Sequence, residues 1–157
     1  VRQLSCVLHV GTYKTGSTSL QQQLYRNRDE LLRQGIFVPT ELGGGSMRLL
    51  AAFAYSHTDA PHSSRQLLKK HGGLPGVADV IRRELNHARL CGADRVFLSC
   101  EALGDLQDIL AWNALRDLLS QEAVEVSVLI VCLRGQHARF LSGLSESCRN
   151  GRNLGDV

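Results

Sequence analysis

A chain of 157 residues is one domain's worth and long enough to bury a core. With 43% hydrophobic and 21% charged residues it has the balance of a soluble globular protein, which excludes a disordered tail. A net charge of +3 is too mild to argue for nucleic acid and suits a small anionic ligand. No apolar run approaches the ~18 residues of a membrane span. The first one, Leu4 to Val10, is interrupted by Ser5 and His9 and lacks a signal-peptide cleavage pattern.

In chain order, Leu4–Val10 reads as a buried strand and Gly11–Gly16 as a glycine-bounded turn. Ser17–Gln34 reads as one helix, with Leu20, Leu24, Leu31 and Leu32 near one face and Gly35 as its stop. Ile36–Val38 is a short strand ended by Pro39, Gly43–Gly45 a loop, and Met47–Tyr55 a short helix. His57–Gly76 is polar, holds Pro61, Pro75 and a Gly72-Gly73 pair, and reads as loop or surface helix. Val77, Ile81, Leu85 and Ala88 recur at helical spacing up to Gly92. Arg95–Cys100 is a second long strand and Gly104–Gln121 a third amphipathic helix. Val124–Leu133, the most apolar stretch, reads as a central strand, and Gln136–Cys148 as helical. Strands alternating with helices predict an α/β fold, a three-layer sandwich around a central parallel sheet. Val1 is not an initiator Met and Gly155-Asp156-Val157 lack a closing element, which suggests a single domain incomplete at its C-terminus.

The five cysteines (Cys6, Cys91, Cys100, Cys132, Cys148) are odd in number, widely spaced and free of CxxC. They read as buried free thiols of a reducing compartment, and with no signal sequence they favour the cytoplasm. A Golgi lumenal domain cut from its anchor would look much the same. No His/Cys cluster has metal-ligand spacing, so no metal is predicted. His9 reads as a packed core histidine. His57 and His62 fall where an acceptor could lie, and His71, His87 and His137 read as surface residues. Arg26, Arg28, Arg82 and Arg83 read as solvated helix faces.

The strongest chemical signal is a strand, then Gly11-Thr12-Tyr13-Lys14-Thr15-Gly16-Ser17-Thr18, then a helix. A glycine-rich turn after a strand aims backbone N–H groups at one point, and the next helix adds its positive end, making an anion site. Gly11, Gly16 and Thr18 match a Walker A loop, but Ser17 stands where its lysine belongs and the lysine is Lys14. A nucleotide hydrolase would also need a carboxylate at a strand end for Mg²⁺. Val128–Leu133 ends in Arg134 instead, a cation suited to phosphate directly.

Val7–Gln21 resembles the 5′-phosphosulfate loop of sulfotransferases that use 3′-phosphoadenosine 5′-phosphosulfate (PAPS), and is most similar to the bacterial carbohydrate-type pattern. Leu31-Leu32 through Gly35-Ile36 to Pro39 continues the likeness. Tyr13 departs from the proline that precedes the lysine in many members. Arg134 and Ser142, eight positions on, resemble the family's 3′-phosphate motif, and Glu146 and Asn150-Gly151 extend it. Gly135 stands where Asp or Asn is frequent. Members are usually considerably longer than this chain.

The resemblance implies a co-substrate, PAPS, and no metal. Thr12, Tyr13, Lys14, Thr15, Gly16, Ser17 and Thr18 would hold the 5′-phosphate, and Arg134 and Ser142 the 3′-phosphate. Lys14 would stabilise charge on the leaving group. Glu101, after the Phe97-Leu-Ser-Cys run, would be the base for an acceptor hydroxyl or amine, a saccharide by resemblance. Alternatives are a P-loop nucleotide kinase or NTPase, and a non-catalytic or incomplete relative that binds 3′-phosphoadenosine 5′-phosphate (PAP) without turnover.

Overall fold

The computed structural model describes residues 2–11, 17–56 and 61–133. Of the predicted site residues, Thr12, Tyr13, Lys14, Thr15, Gly16, Arg134 and Ser142 lie outside the described residues, as do His57, His137, Cys148 and the expected helix over Gln136–Cys148. Ser17, Thr18 and Glu101 lie within them.

Strands β1 (Leu4–Gly11), β2 (Ile36–Phe37), β3 (Arg95–Ser99) and β4 (Val124–Cys132) form one all-parallel sheet in the order β2-β3-β1-β4. The helices are α1 (Ser17–Arg26), α2 (Arg28–Arg33), α3 (Arg48–Tyr55), α4 (His62–Lys70), α5 (Gly73–Leu90) and α6 (Ile109–Gln121). The alternation read from the sequence is thus an α/β three-layer sandwich. The chain leaves β1, skips over β3 to β2, returns to β3, then skips over β1 to β4. Right-handed crossovers put α1 and α2 on one face and α3 to α6 on the other. The packing agrees, since α3 touches α4, α5 and α6 while α1 touches α2.

Period-two burial sorts the strands. Leu4, Cys6, Leu8 and Val10 of β1, with Val96 and Leu98 of β3, are buried in one core with Leu50, Ile81, Leu85, Leu115 and Leu119. His9 and Ser99 lie on the other face, at paired register positions beneath α1.

Several elements depart from the sequence reading. The helix expected over Ser17–Gln34 is two helices broken at Asn27. Its Nδ2 donates to the Gln23 carbonyl at 2.8 Å, a side-chain bond that competes with helix propagation. Gly35 does end α2, at φ +78°, with its N–H on the Leu32 carbonyl. The segment read as loop or surface helix holds α4 and the first turn of α5, where Pro75 is tolerated because first-turn N–H groups have no intrahelical acceptor. The helix expected from Gly104 starts at Ile109. Asp108 caps it, accepting from Leu110 N–H at 2.8 Å, and a 3₁₀ turn over Glu101–Asp105 precedes it.

The largest correction concerns Val124–Leu133, expected to be central. Among the described residues β4 pairs only with β1, and Val128, Leu129, Val131 and Leu133 are exposed. Apolarity marks a strand built for burial on both faces but does not rank its place in the sheet.

Candidate functional site

In an open parallel sheet, ligands bind beyond the carboxyl ends of two neighbouring strands whose following connections run to opposite faces. Here those strands are β1 and β3. The first leads to α1 on one face, the second to the Glu101–Asp105 turn and α6 on the other. The two strand ends are tied together by Cys100 N–H on the His9 carbonyl at 2.9 Å. Gly104 lies over the last residue of β1, where an added Cβ would sit 2.1 Å from the Gly11 carbonyl oxygen. The turn after β3 is therefore seated directly on the point where the Gly11–Thr18 segment leaves the sheet.

Helix α1 begins at this place with Ser17, which is buried and whose Oγ has no hydrogen-bond partner among the described residues. No acidic residue stands in the first turn of α1, so its partial positive charge is not offset from within the helix. An orphaned buried hydroxyl at an uncompensated helix N-terminus has the chemistry of a polyanion contact.

A cleft of about 520 Å³ opens beside it, between α1 and the Gly44–Ser46 turn that leads into α3. Thr18 and Glu101 both line it, so two sequence-predicted residues of different roles share one cavity. Tyr25, Arg26 and Arg48 line it too. Sequence reading treated Arg26 as a solvated surface charge and did not single out Tyr25 or Arg48. Arg26 is exposed but sits two helical turns along α1 from Thr18 on the cleft side, a placement that i, i+4 spacing from Gln22 foreshadows. A larger cavity of about 760 Å³ lies between α5 and α6, lined by Leu74, Ala78, Leu110 and Leu118. None of the catalytic or cofactor-binding residues expected from the sequence lines it.

Beneath the cleft runs a buried polar network that the sequence hid. His9 is fully buried, as expected of a core histidine, and it is also hydrogen-bonded at both ring nitrogens. Nδ1 lies 2.8 Å from Ser99 Oγ and Nε2 lies 3.3 Å from Cys132 Sγ. Gln21 of α1 donates to Ser99 Oγ at 3.2 Å. With Gln21 as donor, the Ser99 hydroxyl proton is free to go to Nδ1, and the Nε2–H then points at the sulfur. Burial lowers the imidazole's basicity, in keeping with this neutral form. The strand pattern alone hid the network, because His9 and Ser99 become partners only through the β1–β3 register.

His62 bonds Gln66, and His87 meets the Phe37 ring edge-on. Arg28 lies over the Tyr25 ring, and Arg82 bridges Asp79 and Glu122. Among the described residues no group of three or more His, Cys, Asp or Glu could hold a metal ion, and no helix is long and apolar enough to cross a membrane.

No protein-family model matches this chain, and no curated protein or solved structure is significantly similar to it.

Proposed function

We propose that this chain is a PAPS-dependent sulfotransferase domain, moving a sulfuryl group from PAPS to a hydroxyl or amine of an acceptor, a saccharide by resemblance. The observation that carries the reading is the meeting, at the β1 and β3 ends, of the head of α1 with its orphaned Ser17 hydroxyl and a cleft lined by Thr18 and Glu101.

Under this reading Thr12 to Thr18 hold the 5′-phosphate side through N–H and hydroxyl donors. Arg134 and Ser142 hold the 3′-phosphate. The buried Ser17 Oγ fits a hydroxyl donor to a phosphate oxygen. Sulfuryl transfer builds charge on the leaving phosphate, and Lys14 supplies the compensating cation. Glu101 accepts the acceptor's proton from the cleft side. No metal is needed for any of these roles.

One observation favours a second reading. Glu101 follows β3, the strand next to β1, which is a strand-end carboxylate of the kind a Mg²⁺-nucleotide site requires. Val128–Leu133, which Arg134 follows, supplies no such carboxylate, so Glu101 is the strand-end acid that this reading would use.

Calorimetry with PAP in the absence of magnesium separates the readings. Metal-free binding that is lost in Arg134→Ala and weakened in Lys14→Ala supports the sulfotransferase site. Lys14→Ala should also lower turnover by about 10²-fold or more. Binding and hydrolysis of ATP only with Mg²⁺ supports the second reading. PAP binding with no transfer to any acceptor would mark a non-catalytic relative, and no binding by the folded chain would overturn the nucleotide site.

A further inference from the structure

Four cysteines fall within the described residues, all of them free, and they are not equivalent. Cys6 and Cys100 are buried, and burial pushes their thiols up to about 12 and about 11. Neither offers access or thiolate near neutral pH. Cys91 is exposed, at the C-cap of α5.

Cys132 differs from all three. It is the last residue of β4, partly exposed, and stands opposite Gly11 in the β1–β4 register. Its sulfur faces His9 Nε2 at 3.3 Å. The other ring nitrogen is fixed by Ser99, which Gln21 fixes in turn. A third group thus fixes the imidazole so that its Nε2–H meets the sulfur as a hydrogen-bond donor and not as a base. The imidazole is locked in a buried slot, so its N–H stays aimed at the sulfur that would carry an attacking thiolate's charge.

We propose that Cys132 is a covalent modification site, a thiol that exchanges with small aliphatic disulfides under the direction of His9. Cys132 loses its proton to water, and the thiolate attacks one sulfur of the disulfide. A bond forms between Cys132 Sγ and that sulfur, and the original S–S bond breaks. The other half leaves as a thiolate and takes up a proton from water. The Cys132 sulfur is oxidised and the departing thiol is the reduced product, so the disulfide itself is the only oxidant required. The resulting adduct would stand across from the residue where the Gly11–Thr18 segment begins. Interference with anion binding there rests on the nucleotide reading, whereas the modification does not.

The test exposes the full chain to oxidised glutathione at neutral pH and follows adducts by peptide mass mapping. Cys132 should be modified at least about tenfold faster than Cys91, although it is the less exposed of the two. Cys6 and Cys100 should stay unmodified over the same period. His9→Phe and Ser99→Ala should bring the Cys132 rate down toward that of Cys91, with the Cys91 rate unchanged. Continued protection of Cys6 and Cys100 reports that a variant is folded, and if His9→Phe opens them, Ser99→Ala decides. Cys132 reacting no faster than Cys91 in the parent chain overturns the proposal. So does a Cys132 rate that survives intact in a folded variant.

Discussion

Gly104→Ala probes the seat on which the candidate site is built. The new Cβ would lie 2.1 Å from the Gly11 carbonyl oxygen and 2.5 Å from its carbon, both backbone atoms. Gly11 cannot yield easily, because β1 is held by ladders to β3 and β4 on either side. The Glu101–Asp105 turn must therefore retreat by about 1.3 Å to bring the contact to an ordinary 3.4 Å. That motion drags Leu103 and Leu106, both buried, out of their packing. Overpacking of this kind costs about 1–3 kcal/mol. At a urea m-value of about 2 kcal/mol/M, the unfolding midpoint should fall by about 0.5–1.5 M.

Trp112 is the only tryptophan, and its Nε1 donates to the Leu106 carbonyl at 3.1 Å, so its fluorescence reports on the end of this turn. Gly45→Ala is the control. Its Cβ would meet only Gln21 Cβ, at 3.5 Å. It should leave the midpoint near the parent value or raise it slightly. Since Glu101 travels with the turn, Gly104→Ala should also cost turnover disproportionately, an Å-scale misplacement being worth up to about 10²-fold. A Gly104→Ala midpoint indistinguishable from that of Gly45→Ala, with an unshifted Trp112 spectrum, would refute the reasoning.

Two further outcomes follow from buried polar groups. Glu84 is buried and its Oε2 accepts from the Thr40 N–H at 2.6 Å and the Glu41 N–H at 3.3 Å. Glu84→Ala should cost about 1–3 kcal/mol by urea unfolding, and Glu84→Gln, which keeps an acceptor, should recover part of it. His9 has its basicity lowered from an ordinary 6.5 by burial. Below that pH the unfolded chain binds a proton that the folded chain refuses. Stability should therefore drop as pH falls through about 6.5, and stop dropping below the lowered folded value. Urea midpoints at about pH 7.5, 6.5 and 5.5 measure the slope, and His9→Phe should flatten it. An unchanged slope in the folded variant would remove His9 as its cause.

Much of the architecture was legible because each strand and most helices announce themselves by local periodicity. Leu4–Val10 and Arg95–Cys100 were found to within a residue of β1 and β3. The errors came where a side chain or a tertiary contact outweighed the pattern. The Asn27 side chain broke a helix whose leucines run on past it. Asp108 set the start of α6, although Leu106 continues the apolar spacing upstream. The order of strands cannot be read from hydropathy at all, and among the described residues the most apolar strand stands at one end of the sheet. The candidate site was half legible. Ser17, Thr18 and Glu101 stand out by motif, and the structure brings them to one edge of the sheet. The cleft residues Tyr25 and Arg48 and the pairing of His9 with Ser99 depend on how distant segments are juxtaposed, and no local pattern encodes that.

Ser17 offers the sharpest separation of folding from binding. Buried side-chain polar atoms normally find partners, and among the described residues Ser17 Oγ is the one that does not. An oxygen buried without a hydrogen bond destabilises the chain that carries it, unless a ligand supplies the missing partner. Ser17→Ala should therefore leave the urea midpoint of the ligand-free chain unchanged or raise it, since the methyl group removes an unmet demand. The same substitution should weaken PAP binding by about 1–2 kcal/mol, roughly 5- to 30-fold in Kd, because a hydroxyl donor to the anion is lost. A hydroxyl that served the fold would give the reverse pattern, a fall in midpoint with affinity intact, and that result would move the anion site away from the head of α1.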